Sequence, residues 1–161
     1  MTEETAEALK ALIIDGVNDE LAGLATQDDP LPTIAEKNIV LGTVDLSRYE
    51  SLVVVSIIPD KVEPSGGGLD EFKDREIFVV TMIFQKAAYP ALVKRMFRYA
   101  KAFRRALEKS ANLCGAVDDS GLAKVEFFPD TGSGGQTATA FEAEIWTEKS
   151  EEIAVNPNIG I

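Results

Sequence analysis

The sequence predicts an α+β domain: a mostly antiparallel mixed sheet of about five strands, packed with an N-terminal helix and a long amphipathic central helix. Three observations predict it. Apolar residues recur at helical spacing over residues 3–24, a basic and an apolar stripe share residues 90–113, and short apolar or alternating runs fill the stretches between.

In the first segment Leu9, Leu12, Ile13, Gly16, Val17, Leu21 and Leu24 keep a period near 3.6. Thr2 is placed to cap this helix, and Glu3, Glu4 and Glu7 lie at the positive end of its dipole. Residues 26–37 contain Pro30 and Pro32 and are read as a loop. Strands follow at residues 39–46, with Val40, Val44 and Leu46 on one face, and at 52–58, with residues 48–51 as the turn between them. Residues 59–74, with Pro64 and Gly66-Gly67-Gly68, read as a long polar loop. Residues 76–85 are apolar on both faces, which predicts a central strand covered on both sides.

Pro90 opens the central helix where its missing N–H costs least, and Gly115 is the expected C-cap. Lys94, Arg98, Lys101, Arg105 and Lys109 line one face; Leu92, Met96, Tyr99, Phe103 and Leu107 line the other. Residues 117–128 and 139–147 form the last strands, joined by a Gly-rich hairpin loop at 129–136. Phe141, Ala143 and Ile145 alternate with Glu142, Glu144 and Trp146, giving one face to the core and one to water or a neighbour. Residues 1–150 are read as one domain and 151–161 as an extended tail.

Charge is distributed unevenly. The chain is strongly acidic, with a formal net charge of −11, yet seven of its 16 bases and one of its 27 acids lie between Lys94 and Lys109. A molecule polarised this way can pair with copies of itself, basic stripe to acidic flank. Two readings of the stripe stand side by side: a solvated helix face, or a subunit interface against an acidic neighbour. A nucleic-acid-binding helix is disfavoured, because no docking motif accompanies it and the remaining surface repels phosphate. Trp146, on the polar side of its strand and followed by a tail without periodicity, points to a surface completed by another chain; a half-exposed tryptophan is the plainer alternative.

The sequence holds no histidine, which removes the commonest general base and transition-metal ligand. Its single cysteine, Cys114, excludes an internal disulfide, fits a reducing compartment and is expected to be a small core residue. The paired acids Asp28-Asp29, Asp70-Glu71 and Asp118-Asp119 are expected to be solvated turns, since none has calcium-loop spacing. The glycine clusters at 66–68 and 132–135 lack the residues of a phosphate loop. No apolar run is long enough to span a bilayer, and the acidic start is neither a secretory signal nor a transit peptide. Neither catalytic residues nor cofactors are expected.

The order of elements resembles that of the tail terminator (tail completion) proteins of long-tailed bacteriophages and of nearby head–tail neck proteins. The resemblance covers about residues 2–149. It rests on the N-terminal helix with Leu9, Leu12, Ile13 and Val17, the strands at 52–58 and 75–85 around a long loop, the helix at 91–113, and the closing hairpin with Phe127-Phe128 and Phe141 to Trp146. It implies a non-enzymatic virion protein that forms a hexameric ring on the tail tube, stops tube growth and meets the head connector. The acidity would then line a channel through which DNA slides. Bases Lys94, Arg98, Lys101 and Arg105 would meet acids of the next subunit around Asp70, Glu71 and Asp74, with Trp146 at the same interface. A neck or head-completion protein is the alternative within the class; an acidic cytoplasmic protein-binding module is the alternative outside it.

Overall fold

A computed structural model describes residues 2–27, 29–64, 71–86, 89–129 and 138–152. Five strands form one sheet in the order β1-β2-β3-β5-β4, with helices on one side, as the α+β reading anticipates. The strands are β1 (Ile39–Val40), β2 (Val53–Pro64), β3 (Glu71–Gln85), β4 (Asp119–Phe128) and β5 (Ala138–Glu152). β1 runs parallel to β2; the other neighbours are antiparallel.

The N-terminal helix comprises α1 (Thr2–Leu12), a π-helical turn (Ile13–Val17) and α2 (Asn18–Leu24). Thr2 is its first helical residue rather than its cap. Leu9, Leu12, Ile13, Val17 and Leu21 are buried, while Leu24 is only half-buried. Gly16 lies where this helix meets the central one: an added Cβ would sit 3.3 Å from Ala106 Cβ. Asn18 fastens the π turn to the following loop. Its amide donates to the Ile14 carbonyl (2.8 Å) and the Ile34 carbonyl (2.9 Å), and its Oδ1 accepts from Ile34 N–H (2.7 Å).

The central helix, α3, spans Tyr89–Lys109 with Pro90 in its first turn. Leu92, Met96, Tyr99, Phe103 and Leu107 are all buried, as their spacing predicts. Phe84 packs edge-on to Tyr99 at 5.1 Å and stacks with Phe141 at 6.1 Å, so α3 is joined to β3 and β5 through aromatic rings. Each such side chain contributes about 1.5–3 kcal/mol by burial. α3 ends at Lys109, short of the expected Leu113. Leu113, Cys114 and Gly115 then have φ of 49°, 56° and 91°, a left-handed turn in which only the glycine is free of strain. That turn buries Leu113 but exposes Cys114, so the expected core role for Cys114 is wrong.

Three strand expectations are corrected. Residues 39–46 do not form a hairpin arm: only Ile39 and Val40 pair, in parallel, with Val55 and Ser56. Pairing ends after Val40, with Gly42 at φ 148° still held by the Ser56 hydroxyl through its carbonyl, and a 3-10 turn follows at Leu46–Arg48 capped by Asp45 (Ser47 N–H donating at 3.1 Å). The long polar loop is largely strand, because β2 continues to Pro64 and β3 begins at Glu71, with a bulge between Pro59 and Lys61. β1 covers β2 only at Val55 and Ser56, so beyond them β2 is an edge on which prolines are tolerated. β3 is central, as predicted, but one face alone is closed by helices. Phe78, Val80, Met82 and Phe84 are fully buried there, whereas Val79, Thr81 and Ile83 on the other face are half-buried.

β5 runs to Glu152, two residues into the expected tail, and residues 153–161 lie outside the described part. The Gly-rich loop lies mostly outside it too, over residues 130–137. No helix among the described residues is long and apolar enough to cross a membrane.

Candidate functional site

Two surfaces of opposite character lie on opposite sides of this two-layer molecule. The first is the outer face of α3. Its N-terminal bases are already engaged within the chain. Arg98 Nη1 lies 2.8 Å from Asp29 Oδ2 and donates to the Leu24 carbonyl at 3.3 Å; Lys94 lies 3.5 Å from the same carboxylate. The Asp29 side chain is only 18% exposed, so it is a clasp for the 26–37 loop rather than the solvated turn expected. Tyr99 donates to the Pro32 carbonyl beside it, and burial pushes its hydroxyl well above the usual phenol range, with Arg95 opposing. At the other end Arg104 pairs with Glu108 at 3.2 Å and Lys109 with Glu20. Lys101 and Arg105, both exposed, have no ion-pair partner among the described residues. Phe97, one turn before Lys101, is 54% exposed and rests against Phe127 at 5.2 Å.

The second surface is the open face of the sheet. Cross-strand register places Glu142 beside Thr81 and Glu126, Glu144 beside Val79 and Lys124, and Trp146 beside Ile77 and Gly121. Trp146 lies flat on Gly121: a Cβ built there would fall 2.5 Å from its ring. The Arg75 guanidinium stands 4.9 Å from the ring centroid and donates through Nη2 (2.7 Å) and Nε (3.1 Å) to Glu148 Oε1. Lys61 pairs with Glu63 at 3.0 Å and Lys124 with Glu126 at 2.6 Å. Those hydrogen bonds raise both lysine pKa values, and the nearby Glu144 adds to the shift in each case. Lys61, Arg75 and Lys124 are therefore paired, while Glu142 and Glu144 have no partner within ion-pair distance among the described residues and act on Lys124 only at longer range.

The expected acidic partners are placed differently. Asp70 lies outside the described residues; Glu71 sits opposite Glu152 at the far end of β3; Asp74 is half-buried opposite Pro64 and Lys149. The structure brings Lys94 and Arg98 together on Asp29. The α3 stripe and Trp146 lie on opposite sides of the sheet. Sequence reasoning missed Asp29, Asn18 and the Arg75–Glu148–Gly121 seat of Trp146. A glycine inside a strand facing a tryptophan was the one available signal for that seat.

Among the described residues no group of three or more Cys, Asp or Glu side chains is set to hold a metal ion. Asp118 Oδ2 accepts from Ser150 N–H (2.7 Å), tying the approach to β4 onto β5, and Asp119 Oδ1 accepts from the adjacent Ser120 N–H (2.9 Å). A groove of about 820 Å³ between the N-terminal helix and the left-handed turn is lined by small and apolar residues such as Ala8, Ala11 and Leu12 together with polar Asp15, Asp19 and Ser110.

No family model matches this sequence, and no curated protein matches it. Among solved structures, the sheath/tube terminator of an extracellular contractile injection system (PVC) in its extended state aligns over 100% of this chain and 64% of its own, with 11% identity and a TM-score of 0.44. The chain thus spans less than two-thirds of that protein's length.

Proposed function

We propose that this chain is a structural virion protein of a long-tailed bacteriophage, a tail terminator ring subunit that caps the tail tube and joins it to the head connector. The observation that carries the reading is a sheet closed by helices on one face and left charged and half-apolar on the other. That face sits in an acidic chain whose central helix turns a basic stripe outward. Such a molecule has two unlike surfaces and is suited to head-to-tail association. In this reading the role needs no catalysis or cofactor. The partners are further copies of the chain, the tube protein and the connector, with DNA passing an acidic lumen without being held. The protein would be assembled in the host cytoplasm and reside in the virion neck. Glu71 and Asp74 belong to the start of β3, where a neighbour or tube subunit would meet them together with Asp70, which lies outside the described residues.

Native mass measured across salt and Mg²⁺ concentrations, with negative-stain imaging, tests the reading. A salt-sensitive ring of about six copies is the expected result. A stable dimer, or a monomer that retains a metal ion through gel filtration, would move the protein to the binding-module or enzyme class.

A further inference from the structure

On α3 and on the open sheet face, the charges without an ion-pair partner among the described residues include one cationic pair and one anionic pair, the two acids acting on Lys124 only at longer range. On α3, every base except Arg95, Lys101 and Arg105 has an acid within ion-pair distance, and Arg95 is half-buried beside Tyr99. On the open sheet face the three salt bridges leave Glu142 and Glu144 over. Lys101 and Arg105 are one helical turn apart, about 6 Å along the axis. Glu142 and Glu144 are two residues apart on one side of a strand, about 6.8 Å. The spacings match.

A second observation concerns cost. Glu142 stands directly opposite Glu126 in the β4–β5 ladder, a like-charge cross-strand pair that weakens a sheet, and only Lys124 offsets it. An incoming base would relieve it. Apolar area accompanies the charges on both sides: Phe97 lies one turn before Lys101, and Ile58, 38% exposed, shares a cross-strand row with Val79 and Glu144.

We infer that the outer face of α3 docks on the open sheet face of a second copy, with Lys101 and Arg105 meeting Glu142 and Glu144. The two surfaces lie on opposite sides of the molecule, so one copy cannot satisfy itself, and the contact is heterologous. This rests on the ring reading above and deepens it by naming the surfaces that meet. The acids of the β2–β3 hairpin end are the competing partners; of these, Asp74 is half-buried opposite Lys149.

Two charge-reversed chains test it: Lys101→Glu/Arg105→Glu, and Glu142→Lys/Glu144→Lys. Folding is verified by far-UV circular dichroism and melting, and association is read by light scattering. Each variant alone should associate more than about a hundredfold more weakly than wild type, because like charges then face each other. An equimolar mixture should recover the wild-type mass, since each helix then finds a sheet of opposite sign. If wild type assembles and both variants assemble equally well, the pairing is overturned while the ring reading stands. If both variants fail and their mixture fails too, the pairing is likewise overturned. If wild type never assembles at any salt, both readings fall.

Discussion

The two faces of the sheet are built from the same strands and differ in what covers them. On the helix face Phe78, Val80, Met82 and Phe84 of β3 meet Phe141, Ala143 and Ile145 of β5 under α3 and the N-terminal helix, and all are fully buried. On the open face Val79, Ile83, Glu142, Glu144 and Trp146 are half-buried, although Val54, Ile77 and Ala140 in the same rows are buried. One residue's step along β5 thus separates a helix-covered position from one without a helix over it. The helix face holds the chain together, and the open face is finished with ion pairs and an aromatic ring laid flat. Among the described residues no helix covers the open face, and in the proposed docking Lys101 and Arg105 of a second copy would meet its acids.

The comparison breaks most visibly at Phe84. Phe84→Ala should cost about 3–5 kcal/mol in denaturant unfolding, because it removes the ring between Tyr99 and Phe141. Val79→Thr on the open face of the same strand should cost about 0.5 kcal/mol or less. Near-equal losses would mean that both faces are core. Next in size, Gly121→Val drives a side chain into the Trp146 ring and should cost about 1–3 kcal/mol, with a shift in tryptophan emission as the ring leaves its seat. Arg98→Ala should cost about 1–2 kcal/mol. It leaves the largely buried Asp29 carboxylate to Lys94 alone and the Leu24 carbonyl without its Arg98 donor, and in a double mutant with Asp29→Ala the losses should be less than additive. Smallest of all, Lys101→Glu/Arg105→Glu should move the unfolding midpoint by no more than about 0.5 kcal/mol while weakening self-association, which separates the two faces by readout.

Legibility in the sequence followed periodicity. The burial of Leu92, Met96, Tyr99, Phe103 and Leu107, and the alternation along β5, were readable because a 3.6 or 2.0 repeat reports which side faces the core. Residues 59–64 misled because both faces of that stretch are exposed, so no repeat marks it as strand; Val62 is 52% exposed. The apolar run of β3 promised cover on both sides, but composition does not say whether a layer is supplied by the same chain. Cys114 is expected in the core because no histidine is present to activate it; Gly115 signals a left-handed helix end, but nothing in the pattern shows that Leu113 and Cys114 take positive φ as well and expose the thiol. The site was half visible. The α3 stripe and Trp146 stood out locally, whereas the Asp29 clasp and the Glu148–Arg75 stack join residues 65 or more positions apart.

Trp146, the sole tryptophan, reports directly on the central claim that another copy covers the open face. Acrylamide quenching of its fluorescence, measured with light scattering across protein concentration and salt, gives its accessibility in monomer and assembly. The account predicts that quenching falls as assemblies form and recovers near 1 M salt, where the screening length is about 3 Å. Assembly that leaves Trp146 as accessible as in the monomer would contradict it.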